Sequence, residues 1–335
     1  MPPTPPPIMT IFAREGRLLS AISEMYPRSV PTENENLERL FGALLDEVQV
    51  LQNRTSIREL SGGLTNRNLY VESSSGKFVA RISSNSSELL SIDRDSEFNN
   101  SRLAAEVGIG AEVFDYLRGR GLLVISFIDG KTYNSTDVGH NLSRIASSVR
   151  TLHSAQRFDR DFNMFEIQQR YLSIVQERGF RLPTGYLELS KVFDDVKRAF
   201  AINNDGTVPC NNDLLPANFI DDGEKIWLID YEYSGNNDAC FELGNIWSEA
   251  DLPFDALEVL VNEYYQASRP DKLARAWLFC QLAKYGWTLW ASIQNSISEL
   301  DFDFWEWGML KYDSMREALE SPDFSRMMEL VTRKK

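Results

Sequence analysis

The chain has 335 residues, 43% hydrophobic and 25% charged, enough for a core that needs no disulfide staples. Its formal net charge of −14, with no basic stripe to offset it, argues against a nucleic-acid partner. No run approaches the roughly 20 apolar residues needed to cross a bilayer, and residues 8–12 are too short for a signal-peptide core. The expectation is a cytoplasmic protein without membrane insertion. Low complexity is confined to the proline-rich first seven residues, and residues 1–55 read as an extension ahead of the catalytic unit. Within it, residues 31–36 resemble a helix start. Leu37, Leu40, Phe41, Leu44, Leu45, Val48 and Leu51 then recur at helical spacing. That amphipathic stripe either packs the helix onto the body or offers a face to a partner.

Residues 57–128 carry strand patterns. Residues 57–60 lead into Ser61-Gly62-Gly63, residues 68–72 alternate into the turn Ser74-Ser75-Gly76, and residues 77–83 return as a strand. Residues 93–107 form a helix ending at Gly108, and the apolar run 122–128 is a buried strand closed by Asp129-Gly130. Beyond it helices dominate, interrupted once by a β-hairpin of residues 218–220 and 225–229 around Asp221-Asp222-Gly223. Helices resume near Gly244. The fold class is thus α+β, a small β-rich lobe followed by a larger, mainly helical one. His140 and His153 lack ligand-like spacing with each other or with a cysteine. Cys210, Cys240 and Cys280 show no CxxC pattern and read as small buried hydrophobes in a reducing compartment.

The hairpin has acidic and amide groups at both ends. Asp213 and Asn218 precede it and Asp230 follows its second strand, so folding it back brings the three within reach of one another. Phosphoryl transfer needs such a set: oxygens for Mg²⁺ and a carboxylate to orient the attacking hydroxyl. In the small lobe, Ser61, Gly62, Gly63, Thr65 and Asn66 lie between two strands, where glycine lets backbone approach phosphates closely. No Walker A sequence is present, which disfavours a P-loop kinase. Trp287 and Trp290 share one helical face by i,i+3 spacing. Aromatic faces attract ammonium groups by about 0.5–2 kcal/mol each, although tryptophans at this spacing also serve as plain core.

The stretch Cys210-Asn211-Asn212-Asp213-Leu214-Leu215-Pro216-Ala217-Asn218-Phe219, followed by Leu228-Ile229-Asp230-Tyr231-Glu232-Tyr233 and Phe241-Glu242-Leu243-Gly244-Asn245, resembles the choline/ethanolamine kinase family. That family belongs to the protein-kinase-like group that includes aminoglycoside phosphotransferases. The resemblance covers residues 57–315. It implies a bilobal protein-kinase-like fold, with a nucleotide-binding lobe over residues 56–128 and a catalytic, substrate-binding lobe over residues 129–335. It further implies ATP and Mg²⁺ as cofactors and a small amino alcohol as acceptor. By that resemblance Asp213 is the base, while Asn218 and Asp230 hold the metal. Arg81 takes the place of the protein-kinase strand lysine, with Glu97 of Arg94-Asp95-Ser96-Glu97 as its partner, and Ser126 to Ile128 form the interlobe hinge that reads adenine. Trp287, Trp290 and Trp307 line the acceptor pocket with Tyr233 below and Glu249 at the ammonium end.

Three departures stand out: the family has histidine where this chain has Asn211, and tyrosine where it has Phe254 and Trp307. The implied activity is phosphorylation of the hydroxyl of choline or ethanolamine. A kinase of another small alcohol, such as an aminoglycoside or thiamine, and a non-catalytic binding relative are the alternatives. The sequence leaves monomer or homodimer open.

Overall fold

Thr32 opens the first helix, α1 (Glu33–Leu45), by a reciprocal cap. Its hydroxyl accepts from the Glu35 N–H at 3.3 Å, and the Glu35 carboxylate accepts from the Thr32 N–H at 2.7 Å. The computed structural model describes residues 32–60, 65–83 and 89–333. Of the predicted stripe, Leu37, Leu45, Val48 and Leu51 are buried and Phe41 and Leu44 partly so. Leu40, at the edge of the arc, is 62% exposed and drops out of it.

The helix packs on a five-stranded antiparallel sheet made of β1 (Arg54–Leu60), β2 (Asn66–Ser73), β3 (Gly76–Ser83), β4 (Val113–Leu117) and β5 (Leu122–Ser126), in the order β1-β2-β3-β5-β4. Their shared core contains Ile57, Leu69, Val71, Phe78, Ala80, Leu122 and Val124 beside the α1 leucines. β1 begins three residues before the predicted strand because Arg54 fastens it to α1. Its guanidinium donates to Glu38 and Asp46 at 2.8 Å and to the Gly42 carbonyl at 3.2 Å. β4, absent from the sequence expectation, pairs with β5 at the sheet edge. Helix α2 (Arg94–Glu106) follows β3 in sequence, capped by Asp93, whose carboxylate accepts from the Ser96 N–H at 3.0 Å.

The larger lobe has more strand than the single predicted interruption. β6 (Lys131–Thr132) precedes α3 (Ser135–His140), α4 (Leu142–His153), α5 (Met164–Arg178) and α6 (Ser190–Ile202). Then come β7 (Val208–Cys210), β8 (Phe219–Asp221), β9 (Ile226–Leu228) and β10 (Gly235–Asn237). Strands β8 and β9 are the expected hairpin. β6 adds to it as a third strand, and β10 pairs antiparallel with β7 to make a second small ladder. That ladder brackets residues 211–234, which carry the polar cluster of the site.

Helices resume at Ala239, ahead of the expected point, with α7 (Ala239–Glu249), α8 (Phe254–Tyr265), α9 (Pro270–Ile297), α10 (Phe304–Glu320) and α11 (Pro322–Thr332). α9 is buried along nearly its whole length because α5, α7, α10 and α11 all pack against it. The three cysteines are free and buried, as expected. No described helix is long and apolar enough to cross a membrane.

Candidate active site

The loop between β7 and β8 is held by side chains that substitute for missing backbone partners. Asn211 is fully buried. Its amide nitrogen donates to the carbonyls of Ile229 and Asp230 at 3.1 and 2.9 Å, and its amide oxygen accepts from the Asp213 N–H at 3.0 Å. Asn212 follows at φ +67°, a left-handed conformation that asparagine tolerates better than most residues. Its N–H donates to Glu242 at 2.8 Å and its side chain to the Tyr233 carbonyl at 3.0 Å. Asp230 sits at φ +66° where β9 has ended. The two kinks turn Asp213 and Asp230 into one cleft. Asn218 donates its amide nitrogen to the Asp213 carbonyl at 2.7 Å, which leaves its amide oxygen for the cleft it lines.

Arg81, 6% exposed on β3, meets these residues from the small lobe. It lies 2.5 Å from Asp230, 3.0 Å from Glu97 and 3.1 Å from Glu232, so the expected Arg81–Glu97 pair is present. Desolvation works against the guanidinium charge, but Asp230, Glu97 and Glu232 outweigh it and hold the group above the ordinary arginine range. Asp213 is half-buried. Desolvation, reinforced by Asp230, Glu232 and Glu249, raises its carboxyl well above the ordinary value, while Lys311 opposes the shift. A carboxyl so placed binds a proton more readily than an exposed one, which suits a group that must accept one from an alcohol.

Glu232 was missed as a site residue although it is the hub of this network. It accepts from Thr65 at 2.7 Å, Asn66 at 2.8 Å, Arg81 at 3.1 Å and Arg94 at 3.2 Å. Burial raises its carboxyl too, with Asp230 adding to the shift and Arg81 and Arg94 opposing it. Thr65 and Asn66, expected to face phosphates, therefore spend their side chains on Glu232, although Thr65 also lines the cleft. Ser61, Gly62 and Gly63 lie outside the described residues.

Ser126, the first of the three residues expected to form the hinge, is the last residue of β5. Its N–H donates to the Glu112 carbonyl at 2.8 Å and its hydroxyl accepts from the Glu112 N–H at 3.0 Å, so its amide is committed to the sheet edge. Leu123 and Ile125, three and one positions before it, line the small cavity beside Arg81, Glu97 and Asp230. Ile128 lies just past the end of β5, between the sheet and β6.

The aromatic residues do come together with the polar cluster. Tyr233, Trp287, Trp290 and Trp307 line the same cleft as Asp213, Asn218, Asp230 and Glu249. Trp290 donates its indole N–H to the Tyr233 hydroxyl at 2.8 Å and lies 5.5 Å from the Trp307 ring. Trp287 meets Tyr233 edge-on at 5.2 Å. Phe254 is 39% exposed, packs against Trp247 and is not among the lining residues. A second association escaped the sequence reading: His153, Cys210 and Glu242 are buried with their polar atoms within 4.8 Å of one another. His153 is nonetheless a packed group, as expected, with Nδ1 2.7 Å from the Tyr264 hydroxyl.

Residues 57–272 match the family model described as choline/ethanolamine kinase. The chain belongs to the choline/ethanolamine kinase family. It is therefore an ATP-dependent alcohol phosphotransferase by kinship as well as by the composition of its cleft. Protein LicA of Haemophilus influenzae is 26% identical over 77% of this chain and 78% of its own length. Ethanolamine kinase 2 of Mus musculus is 25% identical over 76% of the chain and 74% of its own. Among solved structures, a choline/ethanolamine kinase family protein from Mesorhizobium loti superposes with a TM-score of 0.78 at 27% identity, covering 88% of this chain and 99% of that one. The two-lobed fold is thus the protein-kinase-like one of the family. The matched family segment contains the phosphotransfer residues, Tyr233 and Glu249 and ends before Trp287, Trp290 and Trp307.

Proposed function

We propose that the protein transfers the γ-phosphoryl group of Mg²⁺-ATP to the hydroxyl of an amino alcohol, with choline preferred over ethanolamine. The observation that carries this reading is a single cleft lined both by Asp213, Asn218 and Asp230 and by Tyr233, Trp287, Trp290, Trp307 and Glu249. Phosphoryl transfer asks a protein chiefly for position and charge. Asp213 orients the hydroxyl and takes its proton as the oxygen–phosphorus bond forms and the bond to ADP breaks.

The donor set fits a hard divalent cation. The Asn218 amide oxygen is left over once its nitrogen is spent on the Asp213 carbonyl, and the Asp230 carboxylate has one oxygen beyond the one that Arg81 holds. Bound Mg²⁺ would neutralise charge on the phosphates. Arg81, braced by Glu97 and Glu232, steadies the same charge from the small lobe, which covers the nucleotide. The indole faces receive the substituted ammonium, and methyl groups enlarge that contact, which favours choline.

Incubation with MgCl₂, ATP and a panel of choline, ethanolamine, thiamine and an aminoglycoside should yield phosphocholine fastest, read by ADP release and product mass. Failure to phosphorylate any amino alcohol overturns the reading. Asp213→Ala should reduce kcat by about 10²–10⁴-fold while ATP still binds. Trp287→Ala should raise KM for choline more than for ethanolamine; equal effects would mark Trp287 as core alone.

A further inference from the structure

Trp307 and Lys311 lie one turn apart on α10, so their side chains share a face. The Lys311 ammonium is 2.7 and 2.9 Å from the two carboxylate oxygens of Glu249, at the end of α7, and 4.3 Å from the centre of the Trp307 ring. The two charged side chains are only 12% and 10% exposed, so the pair is largely out of water. A carboxylate together with an indole face is the combination that holds an alkylammonium ion. Glu249 and Trp307 both line the cleft that contains Asp213. The chain's own ammonium already makes the contacts a substrate cation would use.

We propose that Lys311 is a specificity-determining residue, a tethered cation that competes with the substrate ammonium for Glu249 and Trp307. This inference rests on the amino-alcohol reading above. While Lys311 holds both Glu249 oxygens, the pair presents little net charge to an incoming cation, and the lysine itself repels it. The consequence differs between acceptors. A primary ammonium donates N–H bonds and needs free carboxylate oxygens, which Lys311 has taken. A trimethylammonium has no N–H to donate and depends on indole faces, of which Trp287 and Trp290 lie outside the Lys311 contact. Lys311 therefore penalises ethanolamine more than choline, and the penalty falls on binding rather than on phosphoryl transfer at Asp213.

Lys311→Met keeps an unbranched stem against Trp307 and removes the charge. It should lower KM for ethanolamine by about tenfold, lower KM for choline by less, and move kcat less than either KM. Lys311→Arg retains a cation and should keep the ratio of the two KM values closer to wild type than Lys311→Met does. If Lys311→Met yields no folded protein, Lys311→Gln reads the same ratio, with the melting temperature of each variant recorded alongside. An ethanolamine KM that is unchanged or raised in the folded, uncharged variants overturns the proposal and makes Lys311 a strap that positions Glu249. Wild-type protein that phosphorylates neither alcohol defeats the underlying functional reading instead, so the two failures are distinguishable.

Discussion

Asn211 occupies the position where the family resemblance calls for histidine, and its geometry explains how the exchange is tolerated. Two hydrogen bonds from its amide nitrogen tie the loop bearing Asp213 to the backbone after β9, a third fixes the Asp213 N–H on its amide oxygen, and none requires a proton to move. Asn211→Ala would orphan the Ile229 and Asp230 carbonyls and release the Asp213 amide. About 1–3 kcal/mol of stability should be lost by denaturant titration. The kcat should fall with it, because the base loses its anchor. Asp213 itself carries a cost that the assay can expose. Its raised carboxyl means the folded, metal-free protein binds this proton more tightly than the unfolded chain. That contribution to stability is complete below the ordinary carboxylate value and is lost as pH rises through the raised one. In EDTA, Asp213→Asn should therefore melt higher than wild type at pH 7, with the gap closing towards pH 4, even though it does not turn over. A gap that persists unchanged at pH 4 would contradict the assignment. The sequence revealed Asp213, Asn218 and Asp230 because a short hairpin fixes their relation locally. It could not reveal the Glu232–Arg94 contact, 138 residues apart, or the Lys311–Glu249 pair, 62 residues apart, since no local spacing names a partner so distant in the chain.

At the level of elements, the site depends on how closely α9 is approached by its neighbours. α7, which ends in Glu249, crosses α9 at Gly244, where an added Cβ would be driven into the Ala276 carbonyl oxygen. α10, which carries Trp307 and Lys311, crosses it at Gly308, where a Cβ would fall 2.5 Å from the Ala291 methyl. These two glycines set the separation between the carboxylate and the indoles. Gly244→Ala should cost about 1–3 kcal/mol through overpacking, visible as a lower melting temperature. It should also raise KM for choline more than KM for ATP, because α7 and not the small lobe is displaced. The hairpin and the α1 stripe were legible for the opposite reason, since their signals are periodicity and turn chemistry within a few residues. The ladder of β7 and β10 was not, because three-residue strands such as Val208–Cys210 and Gly235–Asn237 are too short to display an alternation.

The two lobes are joined through buried charge, and Arg81 is the common member. From β3 it reaches Asp230 and Glu232 of the large lobe and Glu97 on α2, while Arg94 links Glu232 to Asn66. Three carboxylates around one guanidinium, with Asp213 nearby, leave this region short of positive charge until a divalent cation and a nucleotide arrive. Removing the guanidinium should thus injure the empty protein most. Arg81→Met strands buried carboxylates and should cost about 3–5 kcal/mol, whereas Arg81→Lys keeps the charge and should cost less. The lysine has a single point of donation and cannot satisfy three acids at once, so Arg81→Lys should still lose kcat by tenfold or more, about 1.4 kcal/mol of transition-state stabilisation. Melting curves with and without MgCl₂ and a non-hydrolysable ATP analogue separate these effects. If Arg81 chiefly balances charge between the lobes, ligand should restore much of the melting temperature lost in Arg81→Met without restoring turnover. If the analogue stabilises wild type and Arg81→Met by the same increment, the guanidinium is not sharing Asp230 with the metal site, and its role is confined to the Glu97 and Glu232 contacts.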